Sequence, residues 1–223
     1  MSENDDFVSL RKAYMSGQGQ TSLNTTFREA LKKFCKTQSL QLSEDNVGNN
    51  YVTQPGKDTG ISPIAIAFPL DGSAEASFTS AFRIFSLLSK LELPCDVMLV
   101  GWTSLGERMI GRDIWFSIDI KSNQAVPPEL ETFKQRDSPK DVSVSAVFEV
   151  SEQEGVPLTI EGSPVILEKA RSLTTAQTNL RELIPGLTRV PLISIMGTEA
   201  ESIACSLIRE YGAYVVALFD NFD

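Results

Sequence analysis

Hydrophobic and polar positions change period several times along this chain, and each change marks an element. In residues 25–38, TTFREALKKFCKTQ, apolar side chains recur at Phe27, Leu31, Phe34 and Cys35, one face of a helix. With Thr25 or Asn24 as the cap, the pattern predicts a helix over 21–38, preceded by a more polar one over 5–16. LQLSEDNVGNNYVTQPG, residues 40–56, reads as two short strands about a Gly/Asn turn. SPIAIAFPL, residues 62–70, is apolar without alternation, the pattern of a strand buried on both faces. Helical spacing returns in Phe78, Phe82, Phe85 and Leu88. CDVMLVGWTS, SVSAVFEVSE, VPLISIMG and YGAYVVALFD follow as further core strands, with EAESIACSLIREY as a helix between the last two.

Strands alternating with helices predict an α/β fold, a mostly parallel sheet flanked by helices, in one domain over 1–223. In such sheets the working groups gather beyond the carboxyl ends of the strands. Four segments take that position: PLDG at 69–72, TSLGER at 103–108, EVSEQEG at 149–155 and MGTEAE at 196–201. Residues 121–142 fit no element well; they are polar and proline-bearing, and read as a surface excursion with at most one helix.

Charge narrows the partners. The net charge of −9 repels a phosphate backbone, and the most basic stretch, FREALKKFCK, reads as the solvated face of a helix, so no nucleic acid is expected. No apolar run is long enough to span a membrane, and the opening MSENDDFVSLRK has no apolar core of a signal peptide. Cys35, Cys95 and Cys205 are an odd, widely spaced set in apolar surroundings, suited to packing in a reducing compartment. A cytoplasmic protein is expected. The chain contains no histidine, which excludes a Ser-His-Asp triad and leaves Ser104 and Ser151 without an activating base.

Five segments in order resemble the zinc-dependent amidohydrolases of the N-carbamoyl-amino-acid hydrolase and allantoate amidohydrolase type, within the aminoacylase and carboxypeptidase superfamily. DNVGNNYVTQPG is similar to that family's early hairpin, and IAIAFPLDG to the strand carrying its first metal-binding HLD. VMLVGWTSLGERMIG resembles the strand and loop that read WTNEEGARF, and FEVSEQEGVPLTIEGSPV resembles FELHIEQGPVLEAEGLPI. MGTEAESIACSLIREYGAYVVALFD is similar to the closing segment, where GAGHDA opens a helix. The resemblance implies a zinc-exopeptidase-like catalytic domain.

It also implies a lost metal site. The family's ligand positions fall on Pro69, Thr79, Ser104 with Leu105 (or Leu105 with Gly106), Ser151 and Thr198, and its last ligand would lie beyond Asp223. Catalytic zinc needs about three good ligands and an open position, which these residues do not offer. No metal and no cofactor is therefore expected. Residues 171–190, RSLTTAQTNLRELIPGLTRV, stand where the family inserts a satellite dimerisation domain with a substrate-binding arginine. They read as a linker with one short helix ending at Pro185–Gly186.

Asp71 keeps the register of the family's aspartate that orients a ligating histidine. With Glu107 and Glu152 it is the expected acid/base group; Trp102, Arg108, Ser151 and Glu199 are the expected substrate-binding residues, with Glu75 and Glu154 in the same loops. Trp115, Glu149, Lys169 and Arg171 are weaker candidates; Trp102 reads more as packing than as recognition, and Glu149 also reads as structural. The expectation is a metal-independent protein that binds an organic small molecule and catalyses cyclisation, isomerisation or elimination. The alternative is a non-catalytic protein that binds a partner, or itself, through surface uncovered by the missing satellite domain.

Overall fold

The computed structural model describes residues 3–17, 25–45, 47–58, 60–104, 109–115, 144–174, 178–182 and 190–219. Helices α1 (Glu3–Met15) and α2 (Thr25–Gln38) lead into a hairpin of β1 (Gln41–Glu44) and β2 (Asn50–Gln54). β3 (Ile64–Pro69), α3 (Glu75–Leu88) and β4 (Val97–Trp102) follow, then the short α4 (Ile110–Trp115). β5 (Ala146–Glu152), β6 (Thr159–Gly162), α5 (Pro164–Leu173), β7 (Asn179–Glu182), β8 (Leu192–Gly197) and α6 (Ala200–Phe219) complete the described chain.

All eight strands join one sheet in the order β1-β2-β4-β3-β5-β8-β6-β7. The central four, β4-β3-β5-β8, run parallel, and antiparallel pairings at β2 and β6 attach the outer strands. This is the mixed, helix-flanked α/β fold the alternation predicts. β3 and β4 read as unbroken apolar runs because each is buried on both faces, whereas β5 carries Glu149 and β8 leaves alternate residues, Met196 among them, partly exposed. Ile64, Ile66, Phe68, Leu99, Phe148 and Val150 face the helices, while Ala65, Ala67, Met98, Val100 and Val147 face the other way.

On the helical side the core is aromatic. Tyr14 of α1 stacks on Phe78 of α3 with ring centroids 4.4 Å apart, and Phe27 and Phe68 meet both rings edge-on. Cys35 and Cys95 are buried in this core and Cys205 is half-buried; all three are free. Burial pushes the Cys35 thiol up to about 12, which makes it a packing group and not a nucleophile. No helix among the described residues is long and apolar enough to cross a membrane.

Two expectations are corrected. YGAYVVALF, expected as a core strand, continues α6 to Phe219. A short apolar run has no period that separates a buried strand from a buried helix, and no breaker stands between Tyr211 and the preceding helix. The helix packs at Gly212 against Ile64 and Cys95, whose side chains are 3.6 Å from where a β-carbon would stand. The 171–190 stretch, expected to hold a short helix, instead carries strand β7, paired in parallel with β6. Asn179–Glu182 is polar and exposed except for Leu180, which packs on the core, so its strand form comes from pairing with β6 and not from its own propensity. The Pro185–Gly186 end of the expected helix and the 121–142 excursion lie outside the described residues.

Candidate functional site

The four loops marked by the sequence leave the carboxyl ends of the four adjacent parallel strands. Pro69 is level with Trp102 across β3 and β4, and Glu152 with Gly197 across β5 and β8. Trp102, Asp71, Ser151, Glu152 and Glu199 therefore share one edge of the sheet. Glu107 and Arg108 lie outside the described residues.

At the end of β3, the Pro69 carbonyl accepts the Tyr14 hydroxyl at 2.7 Å. Asp71 is buried, and its Oδ1 accepts the Ser73 backbone N–H at 2.9 Å and the Ser73 hydroxyl at 2.6 Å, closing the turn into α3. Burial, and next the charge of Asp71, push the Tyr14 phenol well above its ordinary range, so it stays a neutral donor.

A polar clasp holds the end of β4. Asp45 Oδ1 accepts the N–H groups of Val47 and Asn49, both at 2.9 Å, and its Oδ2 accepts Asn49 Nδ2 at 2.9 Å and the Tyr51 hydroxyl at 2.6 Å. Asn49, fully buried, accepts the Thr103 N–H at 2.8 Å and donates to the Gly111 carbonyl at 3.3 Å. The Asp45–Asn49 loop thus ties the hairpin, β4 and α4 together, which gives the DNVGNN segment a structural use. Thr103 and Ser104 are buried, and neither hydroxyl has a hydrogen-bond partner among the described residues.

On the sheet face away from α1–α3, Glu149 of β5 meets Arg112 of α4 at 3.2 Å, and Arg112 also pairs with Asp113 at 3.5 Å. Trp102 and Trp115 lie beside them with ring centroids 5.6 Å apart. Burial raises the Glu149 carboxyl above its usual range; Arg112 and Trp102 act against that shift and Asp113 adds to it. Arg112 could not be found from sequence, because only the docking of α4 brings it to β5. Trp102 is 1% exposed and serves the core of this face.

At the ends of β5 and β8, Glu152 uses both carboxylate oxygens on backbone. Oε1 accepts the Glu199 N–H at 2.7 Å and Oε2 the Glu201 N–H at 2.9 Å, which caps the start of α6. Ser151 is buried and its hydroxyl accepts Gln153 Nε2 at 3.3 Å. Thr198 Oγ1 accepts the Gly155 N–H at 3.0 Å and donates to the Gln153 carbonyl at 3.1 Å. Gly197, with φ of 120°, passes so close to the next loop that a β-carbon would stand 2.6 Å from the Pro157 carbonyl oxygen.

Beside this junction opens a cleft of about 500 Å³. Val156, Leu158, Leu173 and Ile203 form its apolar walls, and Thr174, Thr198 and Glu199 its polar ones. Of the residues expected to bind substrate, Glu199 reaches this cleft; Ser151 and Trp102 are buried at the neighbouring strand ends. Leu173, Thr174 and Thr178 come from the segment around the linker read at 171–190, which thereby walls the cleft.

The residues at the resembled family's zinc positions do not fit zinc. Pro69 has no side-chain donor, Thr79 lies within α3, and Thr198 is engaged by loop backbone. Among the described residues no three of His, Cys, Asp and Glu gather as a metal-binding group.

Solved structures share this fold. The YXEP protein of Bacillus subtilis, a dinuclear metal-binding peptidase of the M20 family, is 9% identical with a TM-score of 0.53 over 97% of this chain and 98% of its own. An amidase of the hydantoinase/carbamoylase family from Burkholderia multivorans is 12% identical, with a TM-score of 0.50 over 97% of this chain and 74% of its own. A protein of amidohydrolase/peptidase type from Burkholderia cenocepacia is 14% identical, with a TM-score of 0.50 over 73% of this chain; the match spans 50% of that protein's length. No protein-family model matches the chain, and no curated protein sequence matches it. The fold is that of the M20 peptidases and amidohydrolases.

Proposed function

We propose that this protein is a metal-independent form of the amidohydrolase fold, degenerate at the zinc positions, that binds a small organic molecule beside the ends of β5 and β8. The observation that carries the reading is the cleft of about 500 Å³ walled by Thr198 and Glu199, within the usual size range of small-molecule sites. It lies where one of the family's metal loops would stand, and the short 171–190 segment replaces a satellite domain as its wall. Acid/base chemistry on the bound molecule, of the isomerisation, cyclisation or elimination type, falls to Glu199. Glu152 is engaged by two backbone donors and Asp71 by Ser73, so both position loops in this reading.

The test pairs binding with hydrolysis. Probes that raise the melting temperature of the native protein should lose that effect in Val156→Trp, which narrows the cleft from a partly exposed position. N-carbamoyl amino acids should remain intact with zinc added. Hydrolysis that zinc starts and a chelator stops would overturn the proposal, as would a stabilising probe indifferent to Val156→Trp.

A second reading, partner binding, draws on Leu87 of α3, which is 54% exposed at the lip of a groove that also includes Phe7 and Phe82. Self-association through it would be seen as a concentration-dependent mass that Leu87→Glu abolishes.

A further inference from the structure

We infer that the cleft selects organic ammonium compounds: a protonated amine carried on an apolar body. The inference rests on the reading of the cleft as a ligand site and follows from which polar groups there are already spent. Along 155–157 and 198–199 the backbone donors are used internally, while Thr178 adds a further hydroxyl to the lining. Gly155 N–H goes to Thr198 Oγ1, Val156 N–H to the Gln153 carbonyl, Thr198 N–H to the Val156 carbonyl and Glu199 N–H to Glu152, while Pro157 has none. The Thr198 hydroxyl gives its hydrogen to Gln153 and the Thr174 hydroxyl gives its own to the Ala170 carbonyl at 2.9 Å.

Acceptors remain. The Thr174 oxygen keeps lone pairs after donating, and Glu199, exposed at the rim, is the one charged side chain among the described lining residues. The start of α6 would ordinarily draw an anion, but the Glu152 carboxylate already occupies it and offsets its positive end. An anionic ligand would therefore meet a carboxylate and few donors. An ammonium group, with three hydrogens to give and no lone pair, meets complementary partners. Val156, Leu158, Leu173 and Ile203 suit the apolar body attached to it.

Three probes of similar shape test this on the full chain: 2-phenylethylamine, 2-phenylethanol and 3-phenylpropanoate. Binding is read from the NMR methyl signals of Val156, Leu158 and Ile203. The amine should bind about fivefold more tightly than the alcohol, the scale of one partly solvated ion pair, and the carboxylate more weakly than either. Glu199→Gln should bring the amine to the affinity of the alcohol and leave the alcohol unchanged, which also shows that the variant is folded. Added salt should shrink the amine's advantage. A carboxylate that binds as well as the amine, or an amine preference that survives Glu199→Gln, overturns the inference. Alcohol binding without a gain for the amine overturns the charge preference alone. If no probe moves these signals, the cleft reading fails with it.

Discussion

Asn49 serves two elements with one amide, its oxygen taking the Thr103 N–H and its nitrogen donating to Asp45 and Gly111. Asn49→Ala would leave the buried Thr103 donor without an acceptor, so a loss of about 1–3 kcal/mol is expected. Urea unfolding should show it as a lower midpoint at unchanged slope. Glu149 makes a different prediction. Burial raises its carboxyl in the folded state, so the native protein holds that proton more tightly than the unfolded chain does. The stability from this group is complete below the unfolded pKa and is lost as pH rises through the folded value. Glu149→Gln cannot ionise, so its melting temperature should gain on that of the native protein as pH rises above the ordinary glutamate range of about 4. A difference that stays flat as pH rises would mean the carboxyl titrates alike in both states. Neither role was legible at these positions. Asp45 and Asn49 showed as a turn and as part of a resembled hairpin, and Glu149 as a weak site candidate also compatible with packing, because their partners lie on segments distant in the chain.

Helix α6 depends on a residue outside itself. Its first N–H groups have no partners within the helix, and Glu152 on β5 reaches across to two of them. Glu152→Ala should cost about 1–2 kcal/mol, the range of a lost N-terminal cap, and Glu152→Gln less, since one oxygen can still accept. Thermal unfolding of the two variants checks the order. A large loss of ligand binding or turnover with no change in stability would give Glu152 the acid/base role expected from sequence. The same helix and strand β7 show where element type escapes local reading. YGAYVVALF has the composition of a buried strand and the position of a helix end, and NLRE offers only Leu180 to the core. Position, set by what each segment packs against, decided both.

For the whole molecule, the proposed metal independence is the reading most easily measured. A protein that binds zinc only when folded gains stability with free ion concentration, about 2.7 kcal/mol at a hundredfold excess over the dissociation constant. Here neither zinc nor a chelator should move the melting temperature. A rise that saturates at one or two ions per chain would contradict the reading of the strand-end loops.

The sequence by itself determined the class of this fold and the absence of histidine from its donor set. Continuous apolar runs at β3 and β4 can be satisfied only by burial on both faces, and a chain without histidine cannot supply an imidazole ligand however it folds. Tertiary structure alone decided how the remaining polar groups are spent. Whether a carboxylate at a strand end lines a cleft, as Glu199 does, or caps a helix, as Glu152 does, depends on which backbone donors lie within hydrogen-bond reach. That distance is set by the packing of segments far apart in the chain, and no local pattern of residues encodes it.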